Sequence, residues 1–285
     1  MPQNRDRELE ASLACATIRR ILVDHRYSVG MDTHPVGLVL GTGWGDSLTL
    51  YKEIEISFQD IPGFESLGTV EGHHRVLAIG YLDEACQTLP IVVLRGRVHM
   101  NESPDDPAIP RMVRLQIAML CELGVKRFVL TCAAGSLIER YQVGELVFMQ
   151  SFVAFGNEVM PLWGGEFVSP EDVLMRQWAP LAQTAAKEAG LTLHEDGDHA
   201  YVRGPHFEGR RHDKGNLARL GAKTVGMSVK PECCIAALYS AQVMGIAFIT
   251  NDAVAEHSHE ENVARAHAAS PKLGAFLRNV VSLLP

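Results

Sequence analysis

No apolar stretch in the chain approaches the ~20 residues that a membrane span needs, which excludes a helical membrane protein. The opening Met-Pro-Gln-Asn-Arg-Asp-Arg-Glu-Leu-Glu is too polar for a secretory signal, so a cytoplasmic location is expected. Positive charge is in deficit: 26 Lys and Arg stand against 34 Asp and Glu, a net charge of −8. That argues against nucleic acid or an anionic membrane as the main partner, while leaving room for a local basic pocket. The six cysteines show no Cys-x-x-Cys spacing and lie mostly in apolar surroundings, which reads as buried, reduced thiols. There is no Gly-x-Ser-x-Gly elbow, so a Ser-His-Asp triad lacks support. His73-His74 and His257-Ser-His259 lack a further ligand set at a recognisable spacing, so no metal is expected. Repeats, low-complexity tracts and linker-like shifts are also missing, which favours one domain over residues 1–285.

What is present is an alternation of short apolar runs with helical patterns. Strand candidates are Val36–Leu40, Ile54–Phe58, Val76–Tyr81, Ile91–Leu94, Arg127–Thr131, Glu145–Met149, Tyr201–Arg203 and Ile246–Thr250. Helix patterns cover about 7–23, Pro110–Leu123, a segment from Pro231 that ends before Gly245, and one that opens at Ser270-Pro271 and runs to Leu284. This order implies an α/β fold, a mixed but mostly parallel central sheet flanked by helices. The irregular segments 101–109 and 156–170 are long enough to be functional loops.

Several strand ends carry residues suited to an anion. Arg97 and His99 follow the run Ile91–Leu94, and residues two apart in a strand share a face. A guanidinium fork beside an imidazole at that edge suits phosphate, although a surface pair beyond the strand is the plain alternative. The turn Gly41-Thr42-Gly43 can aim backbone N–H groups, and a Thr42 hydroxyl, at an anion. Asp46 stands where a dinucleotide fingerprint needs its last glycine, which disfavours a nicotinamide site. Ala133-Ala134-Gly135 allow close backbone approach. Ser228 precedes a helix start, either as a ligand or as a simple N-cap. Glu208 beside Phe207 could accept N–H donors from a heterocycle stacked on the ring, or be an exposed loop carboxylate. Asn251 brings one donor and one acceptor to another strand end.

In their order along the chain, Gly41-Thr-Gly43, Glu71-Gly-His73, Gly96-Arg-Val-His99, Ala133-Ala-Gly135, Gly204-Pro-His-Phe-Glu208, Gly226-Met-Ser228 with Pro231-Glu232, Thr250-Asn251 and His259-Glu-Glu261 resemble the trimeric purine nucleoside phosphorylases, the family that includes methylthioadenosine phosphorylase. The resemblance covers about Val36 to the C-terminus. It implies a homotrimer that cleaves a purine nucleoside with inorganic phosphate as co-substrate and no other cofactor, giving free base and ribose 1-phosphate. It assigns phosphate to Thr42, His73, Arg97, His99, the Ala133 backbone and Ser228. The base falls to Phe207, Glu208 and Asn251, and the ribose to Asn101, Met227 and His259, with His99, Glu208 and Asn251 nearest the chemistry. Glu208 with Asn251 is the pair associated with 6-oxopurines; the methylthioadenosine branch has serine and aspartate there. A neighbouring subunit is implied to complete the ribose pocket, with segment 156–170 as the natural donor.

The chain also departs from the family pattern. Asn101 stands in place of a tyrosine, Cys132 of an asparagine, Gly209 of a hydroxyl residue, and Thr42 of a serine. Val229-Lys230 is unusual in a stretch commonly uncharged. These changes keep two other readings in play: a phosphorylase of methylthioadenosine or another modified nucleoside, and a nucleoside-binding homologue with impaired catalysis.

Overall fold

Val36–Leu40 is apolar throughout and buried at every position, the signature of a strand covered on both faces. This strand, β1, is the centre from which the sheet grows. The computed structural model describes residues 2–25, 27, 34–64, 75–85, 87, 89–103, 105–154, 160–204, 209, 212–252 and 259–285. Among them the elements run α1 (Pro2–Asp24), β1, β2 (Tyr51–Ser57), β3 (Val76–Tyr81), β4 (Ile91–Arg95), α2 (Ala108–Glu122), β5 (Arg127–Ser136), β6 (Leu146–Ala154), α3 (Ala179–Glu188), β7 (Leu193–Tyr201), α4 (Asp213–Arg219), β8 (Thr224–Gly226), α5 (Lys230–Leu238), β9 (Gln242–Asp252) and α6 (His259–Leu283).

The strand order is β2-β3-β4-β1-β5-β8-β7-β6-β9, and β9 also pairs with β5. Parallel pairings (β1–β4, β1–β5, β5–β9, β6–β7, β7–β8) outnumber antiparallel ones. The sheet is therefore mixed and mostly parallel, as the alternation of elements implies. The extra β5–β9 pairing closes β5, β8, β7, β6 and β9 into a ring, a feature that local periodicity does not carry. A register shift at Ala134/Gly135 lets β5 serve both β9 and β8.

The core lies on both faces of the sheet. One side packs α1 and α2 over Val39, Leu94, Phe128 and Leu130, with α5 residues Cys233 and Ile235 joining them. The other packs α3 and α6 over Leu38, Val93, Val129 and Phe248. No helix among the described residues is long and apolar enough to cross a membrane.

Several boundaries differ from the sequence expectation; β5, β6 and β9, for example, run longer than expected. The N-terminal helix begins at Pro2 rather than near residue 7. The helix at Pro231 ends at Leu238, because Val243 onward forms a buried β9 between β5 and β6. Ser270-Pro271 does not start a helix. Pro271 lies inside α6, where the buried stripe Leu273, Phe276, Leu277 and Val280 carries the helix through the missing N–H. The strand read at Tyr201–Arg203 is instead β7, Leu193–Tyr201, whose polar first half hides its register. The helices α3 and α4 and the three-residue β8 lacked a readable pattern.

His199 of β7 is fully buried, with Nδ1 2.9 Å from Thr224 Oγ1 of β8 and Phe152 of β6 edge-on to its ring. Burial depresses its pKa to about 4. Its folded pKa lies below the unfolded value, so its contribution to stability is complete above about pH 6.5 and is lost as pH falls toward 4, by about 3 kcal/mol. Urea melts of wild type and His199→Gln from pH 7.5 to 4.5 should show a stability gap that narrows as pH falls. A gap independent of pH would contradict the buried neutral imidazole.

Candidate active site

The loops after β1 and β4 and the distal half of β5 approach one another where these parallel strands end. After β1, the turn closes with Trp44 N–H donating to Gly41 O at 3.0 Å. The buried Trp44 ring anchors it edge-on to Phe248 and Phe276. Thr42 is half-buried at the turn's tip. Gly41 is required by close approach: a methyl group there would sit 2.8 Å from Thr131 O and 3.2 Å from Arg97 Nη2. Gly41 N–H donates to Thr131 Oγ1 at 3.1 Å, and that hydroxyl lies 3.2 Å from Val39 O. Thr131 thus pins the turn to β5.

β4 ends at Arg95, and Gly96 turns the chain at φ +86°. Arg97 and His99 therefore lie beyond the strand, and strand alternation no longer governs them. Arg97 is fully buried, with Nη1 on Glu232 Oε1 at 2.5 Å and Nη2 on Val39 O at 3.2 Å and on Thr131 O. His99 is the more accessible of the two, its side chain 15 % exposed. Its N–H donates to Glu102 Oε1 at 2.8 Å, and Nδ1 lies 3.9 Å from the same oxygen. Glu102 Oε2 accepts from Arg75 Nη2 at 2.6 Å. Between Arg97 and His99, the buried Gln116 amide of α2 grips the Val98 backbone, accepting its N–H at 2.9 Å and donating to its carbonyl at 3.2 Å.

β8 arrives from the opposite direction. It runs antiparallel to β5, with Gly135 opposite Val225, so Gly226-Met227-Ser228 return beside Cys132 and Ala133. Ser228 is buried and hydrogen-bonds the Cys132 thiol, whose pKa burial pushes up to about 12. The thiol is neutral at physiological pH. Ser228 is not a helix cap: Val229 holds that position with φ +77°, a left-handed conformation that strains a β-branched residue. Asn101 Nδ2 lies 3.4 Å from Met227 Sδ, which joins these two ribose candidates.

At the end of β9, Asn251 is buried and its Oδ1 accepts from Thr250 Oγ1 at 3.0 Å. Arg265 of α6 holds the Thr250 carbonyl at 2.8 Å. His73, Phe207 and Glu208 lie outside the described residues; His259 opens α6 but its side chain is likewise outside them. Gly209 N–H bonds Asp213 Oδ2 at 2.9 Å. Thr42, Arg97, His99, Ala133, Met227 and Ser228 thus converge around β1, β4, β5 and β8, with Asn251 at the end of the adjoining β9. Sequence reasoning quoted Thr250 beside Asn251 without giving it a role, and passed over Glu102, Gln116 and Thr131. Glu102 had a signal in its i+3 spacing from His99. Gln116 and Thr131 meet their partners only through the fold. A cavity of about 880 Å³ between segment 162–175 and the start of β9 includes none of these residues.

The sequence profile of the phosphorylase superfamily matches residues 35–282. The chain belongs to this superfamily, among the purine nucleoside phosphorylases. A purine nucleoside phosphorylase from Cellulomonas sp is 30 % identical, with 92 % of each chain covered. That of Mycobacterium tuberculosis is 32 % identical, covering 89 % of this chain and 91 % of the other. In fold, the chain is similar to isoform 2 of the Schistosoma mansoni enzyme, solved with cytosine and ribose-1-phosphate. The TM-score is 0.79 at 24 % identity, over 97 % of this chain and 96 % of that one.

Glu102 and Arg75 form an ion pair with both side chains under 10 % exposed. Removing one partner strands the other charge in the interior, so Glu102→Ala should lower stability by about 3 kcal/mol. Chemical denaturation measures this, and a loss under about 1 kcal/mol would match a surface pair instead.

Proposed function

We propose that the chain catalyses phosphorolysis of 6-oxopurine nucleosides, inosine and guanosine with their deoxy forms, to free base and (deoxy)ribose 1-phosphate. Phosphate lies against Thr42, His73, Arg97, His99, the Ala133 backbone and Ser228, with Glu232 bracing the Arg97 guanidinium from within. Asn101, Met227 and His259 face the ribose, and Phe207, Glu208 and Asn251 the base. The active form is a cytoplasmic homotrimer using inorganic phosphate and no other cofactor. Phe167, 93 % exposed in the 156–170 segment, offers an apolar contact for a neighbouring subunit.

Departure of the base builds positive charge on the sugar and negative charge on the purine. Phosphate beside the anomeric carbon stabilises the first, and Asn251 donating toward N7 and O6 stabilises the second. These interactions strengthen as charge develops, so they raise the rate rather than only tightening binding.

The observation that carries the base preference is the Thr250–Asn251 bond. With Oδ1 accepting the Thr250 hydroxyl, the Asn251 amide keeps its N–H donors for a ligand. Donors match the O6 acceptor of hypoxanthine or guanine and oppose the amino group of adenine. Glu208 opposite N1–H fits the same bases, whereas adenine N1 would meet acceptor with acceptor, a mismatch of about 1–3 kcal/mol.

Initial rates with inosine, guanosine, adenosine and methylthioadenosine in phosphate buffer test this reading. Inosine and guanosine should turn over fastest; faster cleavage of methylthioadenosine would overturn it, and binding without turnover would mark an impaired homologue. Thr250→Val should lower kcat/KM for inosine by about tenfold and narrow its lead over adenosine, since the amide is then free to flip. An unchanged ratio would remove Thr250 from base selection.

A further inference from the structure

Glu232 lies in the first turn of α5 and is 2 % exposed. Its Oε1 accepts from Arg97 Nη1 at 2.5 Å, while Oε2 has no hydrogen-bond partner among the described residues. The carboxylate is therefore held through one oxygen by one guanidinium. The other end of that guanidinium bonds the carbonyls of Val39 and Thr131. These attachments border different arms of the phosphate site. Val39 leads into Gly41-Thr42, Thr131 leads into Cys132-Ala133, and Glu232 begins the helix that follows Ser228.

We infer that Glu232 is a positioning residue for phosphate: through Arg97 it fixes the spacing of Thr42, Ala133 and Ser228. The inference rests on the reading of these residues as a phosphate site. Two observations make the role geometric. Nη2 lies where any side chain on Gly41 would intrude, so the guanidinium sets the floor under the Thr42 turn. The turn between Ser228 and α5 is strained at Val229, and a conformation of that kind persists only where surrounding contacts hold it. Glu232, three residues on, supplies such a contact.

A positioning role separates phosphate from nucleoside in the kinetics. Glu232→Ala should raise the phosphate KM by about tenfold while the inosine KM stays within about twofold, the scale expected when a support moves ligands by a fraction of an ångström. Glu232→Gln keeps an acceptor oxygen for Nη1 and should hold the phosphate KM within about threefold of wild type. Glu232→Asp withdraws the carboxylate by one methylene and should behave like the alanine variant, which keeps the test available if Glu232→Ala does not fold. Rates are read with phosphate varied at saturating inosine, and folding is checked by circular dichroism.

Folded Ala or Asp variants whose phosphate KM matches wild type would overturn the inference. So would equal rises in both KM values, which mark a general structural defect. If Glu232→Gln weakened phosphate as much as Glu232→Ala, charge rather than placement would be at work, and the inference would fail. Wild-type protein without phosphate-dependent turnover would remove the functional reading, and this inference with it. Normal wild-type turnover with indifferent variants would remove this inference alone.

Discussion

The arrangement turns on a buried guanidinium. Desolvating Arg97 and Glu232 is expensive, and a pair in the interior is a weak source of net stability. What the pair supplies is specification. Arg97 presents five donors in a fixed fork, and its recorded bonds reach the end of β1, the middle of β5 and the first turn of α5. No apolar side chain could tie two backbone carbonyls and a carboxylate together with such directional precision. Gly41 must remain without a side chain to admit it, and Thr131 and Gln116 repeat the device on either side by bonding peptide groups across elements.

The ring closure of the sheet explains how this region can be dense with polar atoms and still buried. β5 pairs with β1, β9 and β8, so its distal half, Thr131 to Ser136, lies under loops from several directions. The reversed β8 carries Ser228 back onto Cys132, and the strained Val229 launches α5 from there. Farther along the same sheet edge, the Asn251 side-chain carbonyl accepts the Thr250 hydroxyl.

Much of this was legible in the sequence and some was not, for physical reasons. Continuous apolar runs announced β1, β3 and β4, and the ordered short motifs announced the family. Strand alternation misplaced Arg97, because Gly96 takes a positive φ and ends the two-residue period. Pro271 suggested a helix start, but burial of the α6 stripe outweighs one lost hydrogen bond. Gln116 and Glu232 meet partners distant in sequence, and pairing of that kind has no local pattern. The ring closure likewise depends on a contact between β5 and β9, more than 100 residues apart.

The departures at Asn101 and Cys132 fall within this frame rather than outside it. Asn101 keeps contact with Met227, and Cys132, a neutral thiol, still bonds Ser228. Neither change removes an arm of the proposed phosphate site, so the central claim is that phosphate, not water, attacks the nucleoside. Phosphorus-31 NMR of a reaction with inosine tests this most directly. The account predicts that the inorganic phosphate signal falls as a sugar-phosphate signal grows, in step with hypoxanthine release. Hypoxanthine released while inorganic phosphate stays constant would contradict it.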